Sequence, residues 1–79
     1  MTLKDFLQVF DFDNPDNDYP QRLEILILDF NSVSHVDEER FAGWYHSKNE
    51  IENDFCTALY NVIEIRPAGY STVQIVIAC

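Results

Sequence analysis

The chain is poor in basic residues, in glycine and in long apolar runs, and each shortage excludes something. Only five lysines and arginines stand among 79 residues, and Lys4, Arg22, Arg40, Lys48 and Arg66 are scattered singly. No basic patch can collect phosphates, so direct nucleic-acid binding is not expected. Anionic membrane surfaces are disfavoured for the same reason. The two glycines leave no glycine-rich loop to cradle a phosphate. The longest apolar run, Ile75-Val76-Ile77-Ala78-Cys79, is far short of the ~20 residues that a membrane-spanning helix needs. The opening Met1-Thr2-Leu3-Lys4-Asp5 lacks the basic and apolar regions of a signal peptide. A cytosolic location is expected, where two cysteines are reduced thiols. Cys56 and Cys79 can pair only if the fold brings them together.

Acid is what the chain has in excess. Fourteen aspartates and glutamates give a formal net charge of −9. The imbalance is uneven, at −5 for residues 1–30, −1 for 31–48, −3 for 49–66 and zero afterwards. Its densest stretch, Asp11-Phe12-Asp13-Asn14-Pro15-Asp16-Asn17-Asp18, holds four aspartates and no base. Such a chain attracts basic protein surfaces. A hydrophobic fraction of 47%, with 14% aromatics, is too rich for a disordered acidic tail. Residues 1–79 are therefore expected to form one acidic domain with a modest core.

The pattern of apolar residues suggests six elements. Residues 2–10 read as a helix: Thr2 and Asp5 form an acidic capping box, and Leu3, Phe6, Leu7 and Phe10 make one apolar stripe. Pro15 and Pro20 then bound an acidic loop. Arg22–Phe30 is the clearest strand, with Leu23, Ile25 and Ile27 on one face and Leu26, Leu28 and Phe30 on the other. Both faces are apolar over its second half, as in a central strand covered on two sides. Residues 31–40 are polar and carry the run Asp37-Glu38-Glu39-Arg40, and residues 41–46 suggest a second strand. Ser47 with Glu50, or Asn49 with Glu52, can cap a second helix whose stripe is Ile51, Phe55, Ala58 and Leu59. In it Glu52, Cys56 and Tyr60 line one edge. Residues 62–66 and 72–79, joined by Pro67-Ala68-Gly69-Tyr70, read as a β-hairpin. The fold class that follows is α+β, two layers in the order α-β-β-α-β-β. A four-stranded, mostly antiparallel sheet would carry both helices on one face.

Candidate chemistry is thin. A calcium loop started at Asp13 would have Glu24 at its twelfth position, but Pro15 occupies the third and Asp18 the required glycine. The aspartates read instead as a solvated turn. Cys56, His35 and His46 lack the paired spacing of a zinc site. A nucleophilic cysteine would also need an orienting group and an oxyanion site, and no glycine-rich nest accompanies Cys56. No catalytic residue, metal or cofactor is expected. Trp44-Tyr45 is more informative. In a strand the two rings point to opposite faces, and one small core can bury only one of them. The other either folds over the sheet edge or serves as a binding anchor.

Leu3-Lys4-Asp5-Phe6-Leu7, the acidic turn, the apolar strand and Asn61-Val62-Ile63-Glu64-Ile65 together resemble the small acidic proteins of phages and mobile elements in Gram-positive bacteria. The resemblance covers the first helix and the last hairpin. Some members of that group are inhibitors of host defence, including anti-CRISPR and anti-restriction proteins that occupy nucleic-acid sites with carboxylates. The group shares no functional motif, so it assigns no residue here. It implies a protein acting in the host cytosol.

Two readings follow. The first is a non-enzymatic inhibitor or adaptor docking on a basic, nucleic-acid-binding surface of a host protein. Its residues would be Asp11, Asp13, Asp16 and Asp18, then Asp37, Glu38 and Glu39, with Trp44 or Tyr45 as anchor. Carboxylates on alternate strand residues lie about 6.6 Å apart, comparable with successive phosphates of an extended backbone. The second is a structural or regulatory homo-oligomer, paired through strand 23–30 or strand 71–79, with the charge serving solubility.

Overall fold

The structure is a computed structural model that describes residues 1–10, 12, 21–31, 33, 36–69 and 71–79. The elements run α1 (Leu3–Val9), β1 (Arg22–Asn31), β2 (Val36–Tyr45), α2 (Lys48–Asp54), β3 (Asn61–Pro67) and β4 (Thr72–Ala78). This is the expected α+β order.

The four strands form one mixed sheet in the order β2-β1-β4-β3. β1 pairs antiparallel with β2 and parallel with β4, and β3 and β4 form the antiparallel hairpin. The two apolar strands, β1 and β4, therefore lie side by side in the centre. Their aliphatic residues suit strands hydrogen-bonded along both edges. β2 and β3 are the edges, and each carries a bulge. The register steps past Ala42 in β2 and past Ile63 in β3. Bulges bend a strand and disturb its outer ladder, which discourages pairing with another chain.

Alternation assigns the two faces. Leu23 and Ile25 of β1 and Ile75 and Ile77 of β4 join Leu3, Phe6 and Leu7 of α1 and Ile51 of α2 in one buried cluster. Both helices thus cover the same face. α1 starts as its sequence suggests: Asp5 N–H donates to Thr2 Oγ1 at 3.1 Å, and Asp5 Oδ2 accepts from Thr2 N–H at 3.5 Å. The next N–H groups are satisfied from outside the helix. Leu3 N–H donates to the Tyr60 carbonyl at 2.8 Å and Lys4 N–H to that of Thr57 at 3.1 Å.

Three expectations need correction. β2 begins at Val36 rather than Phe41, so the charge run 37–40 is strand. Pairing with the apolar β1 overrides its polar sequence. α2 ends at Asp54 and Phe55 is its extended C-cap, so Ala58 and Leu59 form no helical stripe and Cys56 is not helical. Leu59 is left 67% exposed. β4, like β1, offers no free edge to a second copy, because both its edges are already paired within the sheet. Cys56 and Cys79 are free and exposed.

Candidate functional site

The sheet face turned away from the helices carries most of the described candidate residues. Arg22, Glu24, Leu26 and Leu28 of β1 fall on it, alternating with the buried Leu23 and Ile25. Register adds Trp44, opposite Glu24, Phe41, opposite Leu26, and Glu39, opposite Leu28. Thr72, Gln74 and Val76 of β4 and Glu64 and Arg66 of β3 complete it. Val76 in its middle is 2% exposed, whereas Trp44 is 52% and Phe41 49% exposed.

The two exposed rings are organised. Phe41 and Trp44 meet edge to face, with centroids 5.0 Å apart. The Arg22 guanidinium carbon lies 5.1 Å from the Trp44 ring centroid, and Arg22 Nε donates to Thr72 Oγ1 at 2.8 Å. That hydrogen bond fixes the guanidinium, and the guanidinium steadies the indole. Trp44 is therefore an anchored aromatic with about half its surface in solvent.

Beside the rings runs a polar network. Arg66 Nη2 donates to Glu39 Oε1 and to Glu64 Oε2, each at 2.6 Å, and Arg66 Nη1 reaches Glu39 Oε2 at 3.1 Å. Nη1 also approaches Gln74 Oε1 at 3.4 Å, and Gln74 Nε2 donates to Glu24 Oε2 at 3.0 Å. The guanidinium holds the Glu39 and Glu64 carboxyls below the usual carboxylate range, chiefly through these hydrogen bonds. The same contacts raise the pKa of Arg66. The fork-to-fork pairing with Glu39 joins the two edge strands. Edge strands of a four-stranded sheet lie about 14 Å apart, so this pairing spans the full width of the face.

Of the residues singled out in sequence, Glu39 and Trp44 come together on this face, and Asp37 lies on it by register. Glu38 falls on the opposite side, paired in register with Asp29. Tyr45 belongs to the core at 7% exposure, so Trp44 is the exposed member of the pair. Asp11, Asp13, Asp16 and Asp18 lie outside the described residues. Glu24, Glu64, Arg22 and Arg66 were missed by sequence reasoning. Their only signal is the strand parity that puts them in phase with Leu26 and Val76.

Tyr45 also borders a depression of about 400 Å³ lined by Trp44, His46, Glu50, Asn53 and Asp54. Tyr45 Oη donates to Asp54 Oδ2 at 2.9 Å. Burial, then this hydrogen bond and the Asp54 charge, push the phenol up to about 12. Among the described residues no group of three His, Cys, Asp or Glu side chains could hold a metal ion. No helix among them is long and apolar enough to cross a membrane.

Comparison with protein-family models, curated proteins and solved structures finds no match. The site is therefore read from its own geometry.

Proposed function

We propose that the protein is a non-enzymatic interaction module whose outer, acid-bearing sheet face docks on a basic surface of a nucleic-acid-binding protein. The observation that carries this reading is the anchored, half-exposed Trp44–Phe41 pair beside the carboxylates of Glu24, Glu39 and Glu64. An aromatic anchor ringed by charge is the composition of an interface centre and rim. With a net charge of −9, long-range attraction would speed encounter with a cationic partner. The narrower expectation, an inhibitor of the anti-CRISPR or anti-restriction class, rests on the resemblance of the terminal segments to phage proteins.

The test uses the single tryptophan as its own reporter. Titration with an oligo-arginine peptide should change Trp44 fluorescence, and the affinity should fall steeply as salt rises. The interaction should also be local. By anisotropy of a labelled peptide, Trp44→Ala should weaken binding about tenfold or more, and Glu24→Gln should weaken it more than Glu52→Gln on α2. Equal effects at Glu24 and Glu52, with no loss at Trp44, would reduce the attraction to bulk charge and overturn the reading.

A further inference from the structure

The carboxylates that would receive a partner's guanidinium already hold one. Arg66 reaches across the outer sheet face from β3 to Glu39 of β2, with Glu64 on the same nitrogen and Gln74 along the way. This is the bidentate geometry by which an incoming arginine would be bound. The bonded groups are not deeply buried: the side chains of Arg66, Glu39 and Glu64 are 33%, 37% and 52% exposed. Groups of that exposure are open to solvent, so a second guanidinium of the same geometry can reach the carboxylates and exchange with Arg66. Arg40, by contrast, pairs with Asp29 at 3.3 Å, away from this face by register.

We infer that Arg66 is a built-in competitor: its guanidinium occupies the Glu39–Glu64 seat that a partner's arginine takes on docking. The inference rests on the docking reading above and adds its regulation. Docking exchanges one guanidinium for another, so the charge pairing on the face is conserved. The face therefore discriminates: a single lysine, which cannot form the fork, displaces Arg66 poorly. Cationic ligands that offer no arginine are screened out at the same step.

The experiment measures oligo-arginine affinity for the wild type, Arg66→Gln and Arg40→Gln by anisotropy at low salt. The two variants lose the same charge, but only the first vacates the seat. Arg66→Gln should bind about two- to fivefold more tightly than Arg40→Gln, the factor set by the strength of an exposed pair. Equal or weaker binding by Arg66→Gln overturns the inference. Should Arg66→Gln not fold, Arg66→Lys decides the question at wild-type net charge: tighter binding than wild type supports it, and binding no tighter overturns it. A wild type that shows no salt-sensitive binding at all sinks the docking reading itself, an outcome distinct from failure at Arg66.

Discussion

Trp44 and Tyr45 are successive residues of β2, so the strand pleat sends them to opposite faces. Sequence alone shows that they part, but not which one enters the core. The bulge at Ala42 sets the phase. It leaves Tyr45 opposite Leu23, above the helices' cluster, and Trp44 opposite Glu24. Tyr45 then lies across Gly43, where a Cβ would stand 3.4 Å from Tyr45 Cε2, so the ring takes up space that a side chain would otherwise fill. Its hydroxyl finds Asp54, as a buried phenol must. Losing that hydrogen bond in Tyr45→Phe should cost about 1 kcal/mol at neutral pH, read from denaturant midpoints. The pH dependence has a definite sign. With its pKa raised to about 12, the folded state holds the phenolic proton more tightly than the unfolded chain. That contribution is complete below pH 10 and is lost as pH rises toward 12. The cost of Tyr45→Phe should therefore shrink across that window. A cost that stayed constant from pH 9 to 12 would show that the phenol is not held in this way.

At the scale of elements, the order α-β-β-α-β-β was legible because each helix has a side-chain cap, β1 a run of aliphatic residues, and β3 and β4 the alternation and turn of a hairpin. The end of α2 was not. The stripe Ile51, Phe55, Ala58, Leu59 has helical spacing, yet the helix stops after seven residues. Tertiary demands account for this. Phe55 is drawn between Tyr45 and Tyr60, with ring centroids 6.0 and 5.4 Å away. The Thr57 and Tyr60 carbonyls are committed to the first N–H groups of α1. A helix continued to Tyr60 would turn the Thr57 and Tyr60 carbonyls away from those donors. The start of β2 was obscured in the opposite way, because a strand made of charges is recognisable only from the β1 it pairs with. Of the candidate site, Trp44 and Glu39 could be named from sequence, while Glu24, Glu64 and Arg66 needed the register. The same argument makes the α1 cap consequential, because α1 and the 57–60 segment hold each other in place. Thr2→Ala should cost about 1 kcal/mol, a fall of about 4–8 °C in melting temperature for a domain of this size. An unchanged melting temperature would mean that the backbone bonds from Thr57 and Tyr60 secure the helix without its cap.

Across the whole molecule, charge acts on the fold and on docking with opposite signs. A net −9 on 79 residues repels itself in the compact state. The described residues offer few opposing pairs, at Arg40–Asp29, Lys48–Glu52 and Arg66 with Glu39 and Glu64, all substantially exposed. Such pairs contribute little each, and salt screens them as it screens the repulsion. Because fourteen acidic residues face only five basic ones, screening should remove more repulsion than attraction. Raising sodium chloride from about 0.02 to 0.5 M, where the Debye length falls to a few ångströms, should therefore raise the melting temperature. The same change should weaken binding of a cationic peptide. Both effects can be read on one sample by following Trp44 fluorescence, since the indole sits half-exposed on the proposed docking face. Chloride is the appropriate anion, because sulfate would stabilise the fold through exclusion from its surface whatever the charge. A melting temperature that fell with chloride would mean that the Arg66 network outweighs the repulsion. In that case Arg66→Gln should abolish the fall, which ties the stability of the fold to the same guanidinium that occupies the proposed docking face.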